Sequence, residues 1–263
     1  MSHELLLALL SGALVSFMLG LVGGGGSILA IPLLVHVVGV RSPHVAIGVS
    51  AVSVAVNAFT NLLAHARRER VKWRCAAVFA ASGVLGALAG SALGKRVDGT
   101  ALLVLFGLLM VGVGVNMLRV RLAGGNRDAR LTMESARVLA PRLASTGLAT
   151  GAASGFFGIG GGFLITPSLM WATGMPMDMA IGSSLVAVTS FAVTTGVSYA
   201  FAGLVDWPLV GMFVVGGMVG ALLGTPISAA LAQRRRLLAT IFAALVIAVG
   251  LYVTTHSITD LMS

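Results

Sequence analysis

The sequence has little charge. Of its 263 residues, 10% are charged and 57% are hydrophobic, whereas a soluble domain carries about 25% charged residues. Apolar runs of helix-spanning length recur along the chain, without the period-two alternation that a membrane β-barrel requires. The composition excludes a soluble globular domain and predicts an all-α integral membrane protein that crosses the bilayer several times.

Cysteine is almost absent. The single Cys75 excludes an intrachain disulfide and cannot hold a metal ion alone, so no metal or other cofactor is expected. No lysine or arginine precedes the first apolar run, where a cleaved signal peptide would need one. We therefore interpret residues 5–22 as mature structure.

Acidic residues are scarce and peripheral. All eight fall in loops or at chain ends: Glu4, Glu69, Asp98, Asp128, Glu134, Asp178, Asp206 and Asp260. A cation transporter or proton relay usually places a carboxylate within the membrane, so this pattern favours an anionic substrate. The five histidines are scattered along the sequence and form no catalytic pattern, so we do not expect an enzyme.

The 17 lysines and arginines give a net charge of +9. They lie in short loops between the apolar spans, and no aromatic platform accompanies them, so membrane topology explains them better than nucleic-acid binding. We expect the bilayer and a small anion as partners and no nucleic acid. The sequence leaves the oligomeric state open, including a homodimer.

An internal repeat organises the chain. Pro32 and Pro167 match at an offset of 135, and AIGVS (46–50) matches AIGSS (180–184) at an offset of 134. Other matched pairs are Gly39 with Gly174, Trp73 with Trp207, and Gly83, Gly86 and Gly90 with Gly217, Gly220 and Gly224. The sequence predicts a first transmembrane repeat (1–118), a basic cytoplasmic linker (119–142) and a second transmembrane repeat (143–263).

The loop charges indicate how the repeats are oriented. If residues 5–40 cross the membrane once, the two sides carry 11 and 6 basic residues. If each glycine run is the tip of a hairpin that returns to the same face, the sides carry 14 and 3. The positive-inside rule favours the second arrangement. It predicts inverted repeats, each a glycine-broken re-entrant or kinked hairpin followed by three transmembrane helices, in the bacterial inner membrane with both termini periplasmic. Whether the hairpin legs stop at the midplane or cross fully is left open.

Two glycine runs interrupt apolar segments, GLVGGGGSILAIPL at 20–33 and GFFGIGGGFLITPS at 155–168. Breaking a helix inside the bilayer frees backbone groups that find no water there. We expect a half-helix to resume at Ser27 and another at Phe163, each with free N–H groups that favour an anion. The residues expected to bind substrate at these breaks are Gly24, Gly25, Gly26, Ser27, Gly160, Gly161 and Gly162.

Polar side chains on the helix after each break are further candidates. We expect Asn57 and Asn61 in the first repeat, and Thr194 and Thr195 in the second, to contact substrate. The alternative is that small and polar residues serve helix packing, which we favour for the spaced glycines such as Gly83 and Gly217. A dinucleotide-binding turn is a poor match, because no strand precedes either glycine run.

Taken together, these motifs resemble the sulfite exporter TauE/SafE family of membrane transporters. The resemblance rests on G-x-x-GGGGS-x-x-x-x-P at 20–32, on AIGVS with its downstream asparagine, and on the recurrence of both in the second half. It implies a bacterial inner-membrane exporter of small sulfur-containing anions such as sulfite, sulfonates or sulfoacetate. The second half departs from the first, with Thr194 and Thr195 where Thr60 and Asn61 stand. A membrane scaffold or assembly subunit, whose glycines serve only packing, is the alternative.

Overall fold

A computed structural model describes residues 2–22, 24–67, 71–119, 133–230 and 235–262. All regular elements in these ranges are helical. They are α1 (Ser2–Val22), a 3-10 turn (Gly24–Leu29), α2 (Ala30–Pro32), a π-helical turn (Leu33–Val37), α3 (Pro43–Ala66), α4 (Trp73–Gly94), α5 (Gly99–Arg119), α6 (Met133–Phe157), α7 (Gly162–Thr173), α8 (Met177–Phe201), α9 (Trp207–Ala230) and α10 (Arg235–Met262). Five of the described helices, α3, α4, α5, α8 and α10, are long and apolar enough to cross a bilayer. The chain is therefore an all-helical, multi-pass membrane protein.

The helix ends follow from local sequence. Pro43 occupies the first turn of α3, where its missing N–H costs nothing. The Asp98 carboxylate accepts hydrogen bonds from the N–H groups of Ala101 and Thr100, which caps α5. The hydrogen bond from the Ala101 N–H has the larger effect and that from the Thr100 N–H the next; both lower the pKa of the Asp98 carboxyl below its ordinary value. Helix α7 ends at its C-cap residue Gly174, which adopts the left-handed conformation that glycine tolerates.

The chain turns back on itself after α1 and again after α6. A Cβ on Gly26 would overlap the backbone of Leu19, and a Cβ on Gly161 would meet the Ser154 side chain. Each pair is seven residues apart, a separation that would span about 10 Å in a continuous helix. The two reversals lie at equivalent positions of the sequence repeat.

The returning legs are short. The leg after the second reversal, α7, has 12 residues, which at about 1.5 Å per residue span roughly 18 Å of a hydrocarbon core about 30 Å thick. The outgoing helices α1 and α6 have 21 and 25 residues. In the second hairpin, a helix of 25 residues is thus followed by a return leg of 12 residues, which is shorter than the hydrocarbon core is thick.

Each outgoing helix packs against a helix of the other half. Helix α4 lies along α6, where a Cβ on Gly86 would overlap the carbonyl of Leu148 and one on Gly90 the carbonyl of Ala152. Helix α1 lies along α9, where a Cβ on Gly220 would overlap the carbonyl of Ala13. In both pairs the helices run parallel. The packing role predicted for the spaced glycines is confirmed at Gly83, Gly86, Gly90, Gly217 and Gly220, while the surroundings of Gly224 lie outside the described side chains.

Two further pairs run antiparallel. Helix α3 packs against α8, with Gly48 facing Leu204 and Val52 facing Gly196. Helix α5 packs against α10, with Gly107 beside Thr254 and Gly114 beside Ile247. In each pair, one helix is the sequence-repeat counterpart of the other.

These directions define two faces of the protein. The terminal face is the one at which α1, α3, α5 and α9 begin and at which α4, α8 and α10 end. We call the opposite face, where α3, α5 and α9 end and α4, α6, α8 and α10 begin, the linker face. Helix α6 begins at Met133, so the last part of the predicted linker (119–142) belongs to a helix; residues 120–132 lie outside the described ranges.

Candidate functional site

The second glycine break is an unwound turn between α6 and α7. Gly158, Gly160 and Gly161 have φ angles of 67°, 69° and 69°, which side-chain-bearing residues rarely adopt. Gly161 is the N-cap of α7, and its carbonyl accepts the N–H groups of Leu164 and Ile165 at 2.9 Å each. No backbone acceptor within the described ranges receives the N–H groups of Gly162 and Phe163. The turn therefore presents free donors at a buried helix start.

The first break has a different geometry. The prediction that a helix resumes at Ser27 is wrong, because a 3-10 turn begins at Gly24 and runs to Leu29. Gly24, Gly25 and Gly26 are helical, since the positive-φ glycines of the described chain all lie elsewhere. Gly26 is needed for close approach to Leu19. The 3-10 turn packs against α7, so the two breaks are neighbours, although only the second is a left-handed loop.

Helix α3 carries a stripe of buried polar side chains. The Ser50 and Ser53 hydroxyls are fully buried, Asn57 is 4% exposed, and the Ser50 Oγ, Ser53 Oγ and Asn57 Nδ2 atoms have no hydrogen-bond partner in the described structure. Asn61 behaves differently, because its Nδ2 donates to the Asn57 carbonyl of the same helix at 2.8 Å. Of the two predicted asparagines, Asn57 has no partner for its amide nitrogen, whereas the Asn61 amide nitrogen has one on its own helix.

The two predicted threonines divide in the same way. Thr195 is fully buried and its Oγ1 has no partner within the described ranges. The Oγ1 of the adjacent Thr194 donates to the Ser190 carbonyl at 2.7 Å. Consecutive helix residues point about 100° apart. The Thr195 side chain is therefore buried in the protein, whereas the Thr194 hydroxyl forms a hydrogen bond with the backbone of its own helix.

Helices α3 and α8 enclose the second break between them. A Cβ on Gly160 would contact Val54 of α3 and Val188 and Ala192 of α8. Helical spacing places Ser50 and Asn57 on the Val54 side of α3, and Thr195 on the Val188 side of α8. Gly160 therefore lies between α3 and α8, and Asn57 and Thr195 share the helix faces that contact it, one and two helical turns away from Val54 and Val188.

Three polar residues of this region escaped the sequence reasoning. Ser154 Oγ lies against Gly161, Ser16 Oγ lies beside Gly217 together with Asn57, and Tyr199 is the last buried polar residue of α8. All three are at most 1% exposed, and their hydroxyls have no described partner. Single hydroxyl residues within apolar helices form no recognisable sequence motif. The sequence offers one indication, that Ser154 precedes Gly158 by one helical turn.

The expectation that the histidines are scattered is wrong for one pair. The His36 and His256 ring centroids are 5.5 Å apart, and Tyr252 lies 5.3 Å from His36. The pair joins the first return leg to α10, two segments more than 200 residues apart in the sequence. Within the described ranges, no three histidine, cysteine or acidic side chains are grouped as metal ligands would be.

Carboxylates stay away from the buried donors. Of the acidic residues whose side chains are described, Glu4 lies in the first turn of α1, and Asp98 and Asp206 lie just before α5 and α9. The last two accept hydrogen bonds from helix-start N–H groups. None of these three described carboxylates is thus on the helix faces that carry the buried donors.

Sequence comparison assigns the family. The profile of the sulfite exporter TauE/SafE family matches residues 8–253. The chain belongs to this family. It is 50% identical over 261 residues to a protein of Xylella fastidiosa (strain Temecula1) named "Probable membrane transporter protein", covering 99% of each chain. It is 26% identical over 225 residues to "Probable membrane transporter protein YunE" of Bacillus subtilis, covering 79% of this chain and 82% of that one.

No solved structure matches this TauE/SafE family member. The family and the relatives, together with the multi-pass helical architecture, identify the chain as a membrane transporter.

Proposed function

We propose that the protein exports small sulfur-containing anions, such as sulfite, sulfonates or sulfoacetate, across the bacterial inner membrane. The observation that carries this proposal is the set of fully buried donors without partners around the second glycine break, namely Ser50, Ser154 and Thr195 with the N–H groups of Gly162 and Phe163. A buried polar group without a partner costs about 1–3 kcal/mol, and a bound anion would remove that cost for several groups at once.

Binding by neutral donors fits a small oxyanion. Serine and threonine hydroxyls, the Asn57 amide and backbone N–H groups can each donate to an oxygen of the solute. Such a site holds the anion without a buried cation that would retain it. In this proposal Gly160, Gly161 and Gly162 supply the backbone approach, and the first break (24–29) supports it from the neighbouring leg.

We also propose that the two halves are inverted repeats. Counterpart helices α3 and α8 run antiparallel, as do α5 and α10, and the contact between Gly86 and Leu148 has its repeat equivalent between Gly220 and Ala13. These pairings support a two-fold axis in the membrane plane, a common arrangement in transporters. On the positive-inside rule, we propose that the linker face is cytoplasmic and that both termini are periplasmic.

The membrane potential provides a driving force for export. A potential of 100 mV, negative inside, favours outward movement of one negative charge by about 2.3 kcal/mol. This corresponds to roughly a 50-fold concentration ratio, so we propose that export needs no coupling ion.

Efflux from proteoliposomes tests this function. Vesicles loaded with sulfite should release it faster when a potassium gradient with valinomycin makes the interior negative, and protein-free vesicles should not respond. Sulfite efflux that ignores the potential but follows an imposed pH gradient would refute a potential-driven exporter.

Ligand-induced stabilisation identifies the anion. Purified protein is heated with sulfite, thiosulfate, sulfoacetate, taurine or sulfate, and the unfolding temperature is recorded. A ligand that binds only the folded state raises it, by about 2.7 kcal/mol of stability at 100 times its Kd. If none of these five compounds raises the unfolding temperature, the proposed substrate class is wrong.

A further inference from the structure

The end of α8 at the terminal face holds a large buried aromatic residue. Tyr199 is fully buried and is the largest side chain in that condition, and its hydroxyl has no described partner. The antiparallel contacts of Gly48 with Leu204 and of Val52 with Gly196 place Ser50 near the level of Tyr199 on the facing helix. The ring therefore lies at the terminal-face end of the α3–α8 seam, level with Ser50 and nearer that face than Ser53 and Asn57.

A cation stands on the outer side of this ring. Lys95 Nζ is 5.7 Å from the Tyr199 ring centroid. It donates hydrogen bonds to the carbonyl and the Oγ of Ser198, at 3.2 and 2.9 Å, and Ser91 Oγ donates to Ser198 Oγ at 3.2 Å. A partly exposed ammonium at the last turn of α8 is favourable for the helix. It also places positive charge where an anion would pass Tyr199.

The sequence repeat assigns a counterpart to Tyr199. At the offset of 134 that aligns AIGVS with AIGSS, Tyr199 corresponds to His65. His65 lies in the last turn of α3, at the linker face, and its Nδ1 is 3.1 Å from the Asn61 carbonyl. Unlike Tyr199, it is partly exposed. Equivalent rings thus stand at opposite ends of the α3–α8 seam, one buried and one partly exposed.

We propose that Tyr199 and His65 are the two gates of the transport path, and that Lys95 attracts the anion at the Tyr199 gate. The inference rests on the proposed transport function and on the repeat symmetry. In this structure the Tyr199 gate is closed, because its ring is fully buried. Exchange of the two conformations between the repeats would open Tyr199 and bury His65, which is alternating access.

Thiol accessibility tests the gates without any substrate. Cys75 is the only cysteine, so a Cys75→Ser background carrying Ser53→Cys has one reporter thiol, at a fully buried position of α3 that is farther from the terminal face than Ser50. A membrane-impermeant, anionic thiosulfonate is added to the terminal face, using vesicles of known orientation. Modification requires an accessible thiolate, so the rate should be low with Tyr199 and Tyr199→Phe and at least about tenfold higher with Tyr199→Ala.

Matched variants separate a gate from general loosening. Phe213 is also fully buried but lies on α9, so Phe213→Ala removes a comparable ring without opening the seam and should leave the rate low. His65→Ala should raise labelling from the linker face only. Lys95→Met should slow labelling by the anionic reagent in the Tyr199→Ala background, and Lys95→Arg should restore it. Should Tyr199→Ala fail to fold, Tyr199→Leu replaces it.

The outcomes are decisive in both directions. Fast labelling with Tyr199 intact, or equal rates in Tyr199→Ala and Phe213→Ala, would overturn the gate assignment. These rates do not depend on which anion is carried. If sulfite is not transported but Tyr199→Ala raises the labelling rate, the export proposal fails and the gate proposal stands. If sulfite efflux is normal but the labelling rate does not depend on Tyr199, the gate proposal fails and the export proposal stands.

Discussion

Two adjacent threonines offer the sharpest test of the binding region. Thr195→Val and Thr194→Val remove one hydroxyl each from neighbouring positions of α8 and preserve side-chain shape. Thr195 Oγ1 is fully buried and has no described partner, whereas Thr194 Oγ1 donates to the Ser190 carbonyl at 2.7 Å. The same substitution should therefore have opposite effects at the two positions.

The magnitudes follow from these environments. A buried hydroxyl without a partner costs about 1–3 kcal/mol, so Thr195→Val should stabilise the ligand-free protein, raising the unfolding temperature by about 2–12 °C. Thr194→Val loses a hydrogen bond worth about 0.5–1.5 kcal/mol and should lower it by about 1–6 °C. If Thr195 binds an anion, its loss costs about 1.5–3 kcal/mol of binding, which is a 10- to 150-fold rise in Kd.

The assays are thermal unfolding in detergent and sulfite efflux from proteoliposomes. We expect Thr195→Val to be more stable and slower in transport, and Thr194→Val to be less stable with transport close to wild type. A Thr195→Val protein that transports normally would show that this hydroxyl does not bind substrate. A destabilised Thr195→Val protein would show that the hydroxyl already has a structural partner.

Three further predictions concern helix packing, helix capping and the Tyr199 gate. Gly86→Val should destabilise the protein and abolish transport, because α6 backbone lies against Gly86, whereas Gly112→Ala, which faces open space, should be neutral in thermal unfolding; equal effects would contradict the packing assignment. Asp98→Ala should lower the unfolding temperature near neutral pH. Because the folded-state pKa of Asp98 is lowered, this difference should be full above the ordinary value of 3.8 and shrink as pH falls through the folded pKa; a difference that persists below it would assign the effect to something other than the charge. Tyr199→Phe should retain sulfite efflux if the ring rather than the hydroxyl forms the gate, and a complete loss would place the hydroxyl in the binding site.

The helices were predictable because apolar length and glycine or proline punctuation are local signals. The apolar run expected at residues 5–22 corresponds to α1 (Ser2–Val22), with its start within three residues. Helix α6 is the exception: it begins at Met133, inside a stretch whose polar composition indicated a linker. Helix formation there depends on what the residues pack against, which a local pattern does not contain.

The site was predictable only in outline. Sequence spacing identified the polar stripe, but it could not show that Asn61 and Thr194 bond to their own helix while Asn57 and Thr195 do not. That choice depends on rotamers and on the neighbouring helices. The two glycine runs also look alike in sequence, yet one forms a 3-10 turn and the other a left-handed loop.

The close contact between α1 and α9 has a consequence for biogenesis. Helix α1 ends at Val22 and α9 begins at Trp207, so at about 5–20 residues per second a nascent chain waits roughly 10–40 s before the first helix meets its partner. During that time the glycine-lined surface of α9 does not yet exist, and α1 must remain in lipid or be held by the insertion machinery. Because α1 of the first half packs against α9 of the second half, neither half completes its tertiary structure before the ribosome has nearly finished the chain.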